Sequence, residues 1–181
     1  MIRVSYSSKK TFIVSFIVLS LISLTSIFIG KVIEKDRLIK GLTEPEKISM
    51  VHQADPFNKE AFVKMLKDIN IKFPHIIMAQ SIVETGKWES RIFLENNNLF
   101  GMKETNLRVS TAKGTRLNHA WYNHWRESVY DYAFYQSKYT NSINTESEYY
   151  EYLNGNYAES KNYVNLLKQT VKKENLKELF N

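Results

Sequence analysis

Glu84 is a carboxylate in an unusual setting for a charged group. It closes the segment PHIIMAQSIVE (residues 74–84), where Ile76, Ile77, Ala79, Gln80 and Val83 recur at three- and four-residue spacings, so Glu84 shares a face with core residues. Pro74 fits a first helical turn, where its missing N–H would have no partner, and Gly86 is a helix stop. At the C-terminal end of a buried helix, both desolvation and the negative end of the helix dipole disfavour the anion. Both raise the pKa, as a general acid working near neutral pH requires, and glycoside hydrolysis is the standard use of such an acid. The competing reading is a solvated glutamate paired with Lys87 at i+3.

The company Glu84 keeps favours the first reading. Ala79-Gln80, Glu84-Thr85-Gly86, Ser90 and the run Asn97-Asn98-Leu99-Phe100-Gly101-Met102-Lys103 form one extended pattern. It resembles the signature of the glucosaminidase family of peptidoglycan hydrolases (glycoside hydrolase family 73, with the Bax-type and flagellar cell-wall hydrolases). The likeness continues through Tyr122, Trp125-Arg126-Glu127-Ser128 and Asp131-Tyr132, and ends near Tyr157-Ala158-Glu159 and Tyr163. The resemblance implies an α+β, mainly helical, lysozyme-like domain with a small β-lobe. It also implies cleavage of the β-1,4 bond after N-acetylglucosamine in peptidoglycan glycan strands, with Glu84 as proton donor. Tyr122 and Tyr157 match positions the family uses in or beside its cleft. With Asn98 and Phe100 they are the candidate substrate contacts.

A two-carboxylate mechanism needs a second acid, about 5–5.5 Å away for retention or roughly 6.5–9.5 Å for inversion. The family often draws it from the β-lobe, yet residues 106–125 hold no Asp or Glu. Glu104 is the nearest candidate, with Glu127 and Asp131 beyond it in a helical first turn, where acids are favoured for dipole reasons alone. The N-acetyl oxygen of the substrate is a third route, with Tyr122 or Tyr157 orienting the acetamido group. These alternatives stay open. Ten of the eleven tyrosines follow residue 121, and aromatic faces suit the apolar faces of sugars. Tyr132 and Tyr163 lie on helical apolar stripes and read as core, while Trp88 and Trp125 read as packing residues that shape the groove. His52, His75, His119 and His124 lack metal-ligand spacing and read as surface or packing residues; no metal or cofactor is expected.

The elements that must position Glu84 follow from patterning. Residues 1–10 are short and basic, and residues 11–30 are uncharged; at ~1.5 Å per residue they span about 30 Å as a helix, the thickness of a bilayer core. No Ala-x-Ala-like cleavage site follows, so an uncleaved anchor is expected rather than a signal peptide. Lys31, Lys35, Arg37 and Lys40 oppose a simple positive-inside count. Function places the N-terminus inside a bacterial cytoplasmic membrane, with the domain outside. Residues 31–54 read as a polar spacer interrupted by Gly41 and Pro45, and residues 55–181 as the catalytic domain.

Within that domain Asp55 or Asn58 is a cap for a helix carrying Phe62, Met65, Leu66 and Ile69. Asn96-Asn97-Asn98 signals a turn, and residues 108–111 are expected to pair with residues 118–122 as an irregular hairpin. Helical spacing returns at Trp125, Thr145 with Glu148 forms a capping box, and a last amphipathic helix starts near Lys161. The chain has no cysteine, which excludes disulfides and a thiolate nucleophile. Its net charge is +6, but without an aromatic-interleaved basic motif nucleic acid is not an expected partner. The expected partners are glycan strands and, through the N-terminal helix, the membrane. A muramidase or lytic transglycosylase on the same scaffold, and a non-catalytic wall-binding protein that kept the fold, are the rival readings.

Overall fold

The computed structural model describes residues 6–41, 43, 46, 55–156 and 162–181. The chain divides into two units, Met1–Met50 and Val51–Asn181. The first contains α1, Tyr6–Gly41. Its stretch Val14–Glu34 is long and apolar enough to cross a membrane and is not buried against protein, which is compatible with an anchor or a signal sequence. The hydroxyls of Ser20, Thr25 and Ser26 donate to carbonyls three or four residues back, so these polar groups are satisfied within the helix. The helix runs through Lys31 to Gly41, eleven residues into the expected spacer.

The second unit is mainly helical with a small two-stranded sheet, the class expected from the sequence. It holds α2 (Lys59–Asp68), α3 (Pro74–Glu84), α4 (Arg91–Asn96), β1 (Thr115–Arg116), β2 (His119–Ala120), α5 (Trp125–Tyr139), α6 (Glu146–Asn156), α7 (Tyr163–Lys173) and a closing 3-10 turn, Leu176–Phe180. Caps fix the starts. Asn58 accepts from the amide of Ala61 at 2.8 Å, and Thr145 and Glu148 exchange backbone-to-side-chain hydrogen bonds as a capping box. Helix α3 is the axis of the core. Its residues 75–82 are all buried, and α2, α7 and the 3-10 turn pack around it. An aromatic cluster of Phe57, Phe62, Phe93 and Trp125 closes one end, with ring centroids of Phe57 and Phe93 4.9 Å apart.

The hairpin differs from expectation. Strand β2 pairs antiparallel with Thr115–Arg116, not with residues 108–111. The two residues between the strands, Leu117 and Asn118, both have positive φ, at 53° and 58°. A two-residue turn of that hand matches strand twist, so the tight local closure wins over a longer loop. Residues 108–111 are drawn instead to α5, where Arg108 meets Asp131 and the Thr111 hydroxyl donates to the carbonyl of Glu127.

Candidate active site

Glu84 is held at a helix end built by a Schellman motif. The amide of Gly86 donates to the carbonyl of Val83 and that of Lys87 to the carbonyl of Ile82, the pattern of a chain reversing through the left-handed region. Gly86, Lys87 and Trp88 have φ of 55°, 63° and 67°. The Thr85 hydroxyl donates to the carbonyl of Ser81 at 2.6 Å and accepts from the amide of Trp88. This turn leaves Lys87 exposed, and among the described ion pairs none joins it to Glu84.

The Glu84 side chain is mostly covered but reaches solvent. Its Oε1 accepts from the Tyr163 hydroxyl at 2.6 Å. Its Oε2 lies against Gly101, 3.5 Å from where a Cβ on that residue would stand. Desolvation raises its pKa above the ordinary glutamate value, against the smaller opposing effects of the Tyr163 hydrogen bond and the nearby His119. Tyr163 and His119 are neighbours of Glu84 that the residue patterns hide. Tyr163 sits on an apolar helical stripe, and His119 shows no ligand spacing. Only the Tyr163 match at the end of the family pattern signals one of them.

The asparagine run carries the β-lobe to this helix end. Asn97, with φ 53°, ends α4, and its amide donates to the carbonyl of Tyr122. Asn96 donates to the carbonyl of Arg116 at 2.6 Å. Asn98 donates to the carbonyls of Met102 and Ala120, both at 2.9 Å, and its Oδ1 accepts from the amides of Phe100 and Met102. Asn98 is 0% exposed, so its expected role as a sugar contact gives way to that of an internal clamp for the loop bearing Gly101. Phe100, 1% exposed, packs on Tyr132 with ring centroids 4.4 Å apart and is likewise a core residue rather than a substrate contact. Tyr122, 1% exposed, donates its hydroxyl to Asp131 and is corrected in the same way. Tyr157 lies outside the described residues.

The three candidates for a second acid separate cleanly. Asp131 is fully buried and takes two hydrogen bonds from Arg108, at 2.6 and 3.0 Å. Burial would raise its pKa, but Arg108, Ser110 and Tyr122 together hold it below the usual aspartate value. It is a structural anion. Glu127 accepts from the amide of Asn123 at 2.9 Å, two residues into the helix start, and is a cap. Glu104 is exposed on the lobe, accepting from the Thr115 hydroxyl at 2.6 Å, and has no such internal duty. Past Gly101 the chain borders a groove of about 350 Å³ lined by Lys103, Thr105, Tyr135, Tyr139 and Tyr152 among others. Among the described residues no cluster of three His, Asp or Glu side chains is placed to hold a metal ion.

A desolvated helix-end acid beside a lobe held by asparagine clamps is the setting that a glycoside hydrolase's acid requires. The chain belongs to the glucosaminidase family, described as mannosyl-glycoprotein endo-beta-N-acetylglucosaminidase, which residues 59–176 match. Among solved structures it is similar to the catalytic domain of the autolysin Auto from Listeria monocytogenes. Identity is 19%, the alignment covers 81% of this chain and 95% of that one, and the TM-score is 0.46. No curated protein matches the chain.

Proposed function

We propose that this glycoside hydrolase cleaves the β-1,4 bond after N-acetylglucosamine in peptidoglycan, with Glu84 as general acid. The observation that carries the reading is the setting of Glu84: a raised pKa from burial, one carboxylate oxygen held by Tyr163 and the other beside Gly101 at the lobe. A protonated Glu84 donates to the leaving glycosidic oxygen while positive charge develops at the anomeric carbon. The tyrosine-lined groove past Gly101 offers ring faces for neighbouring sugars. Glu104 is the proposed second carboxylate, because Asp131 and Glu127 are engaged in holding the fold. Tyr157 remains a proposed sugar contact. Helix α1 is proposed to anchor the domain on the outer side of the cytoplasmic membrane.

The engagement of two of the three candidate acids supports a second reading, in which a lone acid serves a muramidase or lytic transglycosylase. Mass spectrometry of digested glycan strands distinguishes them. Reducing-end N-acetylglucosamine supports the first reading, while reducing-end N-acetylmuramic acid or its 1,6-anhydro form sinks it. E84Q that folds and still releases soluble fragments at the wild-type rate from purified sacculi would remove Glu84 from either mechanism.

A further inference from the structure

We propose that Gln80 is a positioning residue that makes Tyr163 a hydrogen-bond donor to Glu84 and thereby confines the acid's proton to Oε2. The proposal rests on Glu84 being the proton donor. Its basis is a buried line of polar groups running through the core to the site, by way of Tyr149, Tyr132, Gln80 and Tyr163. Gln80, Tyr132 and Tyr149 are 0% exposed, so each of their polar atoms depends on protein partners.

The polarity of the line is set by the bond from Tyr132 to Gln80. The Gln136 amide is gripped by the backbone of Lys72: Oε1 accepts from its N–H at 2.9 Å, and Nε2 donates to its carbonyl at 3.0 Å. The Gln136 amide orientation is therefore fixed by the main chain. The Tyr132 hydroxyl donates its single proton to Gln80 Oε1 at 2.7 Å. The 2.8 Å contact between the Tyr149 and Tyr132 hydroxyls then has Tyr149 as donor. With Oε1 of Gln80 turned to Tyr132, Nε2 faces Tyr163 and donates to its oxygen at 3.4 Å. Tyr163 is left with its proton directed at Glu84 Oε1.

This arrangement has a chemical consequence. An oxygen that accepts a 2.6 Å hydrogen bond from Tyr163 does not also carry a proton toward it. When Glu84 is protonated, the proton resides on Oε2, the oxygen beside Gly101. If the Gln80 amide were reversed, its Oε1 would accept from Tyr163, and the proton of Glu84 would be drawn to Oε1, away from the lobe. The groups that face Glu84 are Tyr163 from α7 and His119 from β2; burial holds the Tyr163 phenol well above its ordinary pKa, so it keeps its proton.

The test uses the full chain in detergent, with rates of fragment release from purified sacculi measured against pH. In Y163F the carboxylate loses a hydrogen bond that favours its anion, so the alkaline limb moves up by about one pH unit. Tyr132 does not touch Glu84, yet Y132F frees the Gln80 amide to reverse and moves the limb the same way, with a lower plateau rate. The double variant moves no further than Y163F. His119 is unchanged throughout, so its influence on Glu84 is common to every profile. An unmoved limb in Y132F, or additive shifts in the double variant, overturns the proposal. Should Y132F not fold, Q80M removes the amide that donates to Tyr163 and is judged by the same criteria. E84Q separates the two failures: wild-type activity there defeats the parent reading, whereas an inactive E84Q with an unmoved Y132F limb defeats only the role of Gln80.

Discussion

Glu84 and Asp131 are both withdrawn from water, and they behave in opposite ways. Asp131 meets a guanidinium in two-point contact and is held below the ordinary carboxylate range. Glu84 meets a neutral phenol and a glycine, and burial carries its pKa up. Burial is common to the two; the partner decides the sign. A carboxylate with a buried cation is a rivet for the lobe. One whose hydrogen-bond donor is a neutral phenol is free to hold and release a proton.

The contrast breaks most severely at the acid itself. E84Q keeps the shape but has no proton to give, and loss of general-acid catalysis is expected to lower sacculus digestion by about 10²–10⁴-fold, with the far-ultraviolet circular dichroism unchanged. Next in size is the rivet. R108A leaves Asp131 buried and uncompensated, at an expected cost of about 3–5 kcal/mol, read as a lowered urea midpoint by tryptophan fluorescence. An unshifted midpoint would make the ion pair dispensable. G101A places a side chain where φ is +63° and is expected to cost about 1–2 kcal/mol. Its methyl group would stand at ordinary contact distance, 3.5 Å, from Oε2, so activity should fall less than in E84Q.

The smallest effect concerns stability against pH, and its sign differs between the two acids. The folded protein holds the Glu84 proton more tightly than the unfolded chain does. Stability is therefore lost as pH rises from the ordinary glutamate pKa through the raised folded value. E84Q is expected to melt higher than wild type at neutral pH, with the difference vanishing in acid. Asp131 is the reverse: its contribution is full above the ordinary aspartate pKa and is lost as pH falls through the depressed folded value. Parallel melting curves for E84Q and wild type across pH would show that the Glu84 pKa is not raised.

Much of this was legible in one dimension. The cap at Asn58, the box at Thr145 and Glu148, Pro74 at a helix start and the acid before Gly86 are local signals, because their partners lie within a turn of chain. The asparagine run was legible as a turn but not as a clamp. Asn98 could be read as a sugar contact because nothing local says that its amide reaches Ala120, 22 residues on. The hairpin register was misplaced for a related reason: Leu117 carries no turn signal, yet it adopts a left-handed conformation that glycine or asparagine usually supplies.

The amino-acid sequence by itself determined the apolar N-terminal helix, the helices of the domain, and the presence of a carboxylate at the end of the most buried one. These depend on periodicity and on neighbours a few residues away. Tertiary structure alone decided which buried carboxylate has its pKa held up and which has it held down. Tyr163 reaches Glu84 from 79 residues along the chain, and Arg108 reaches Asp131 from 23. A pKa depends on burial and on which donor or charge stands within hydrogen-bond reach, and those are distances that only folding sets.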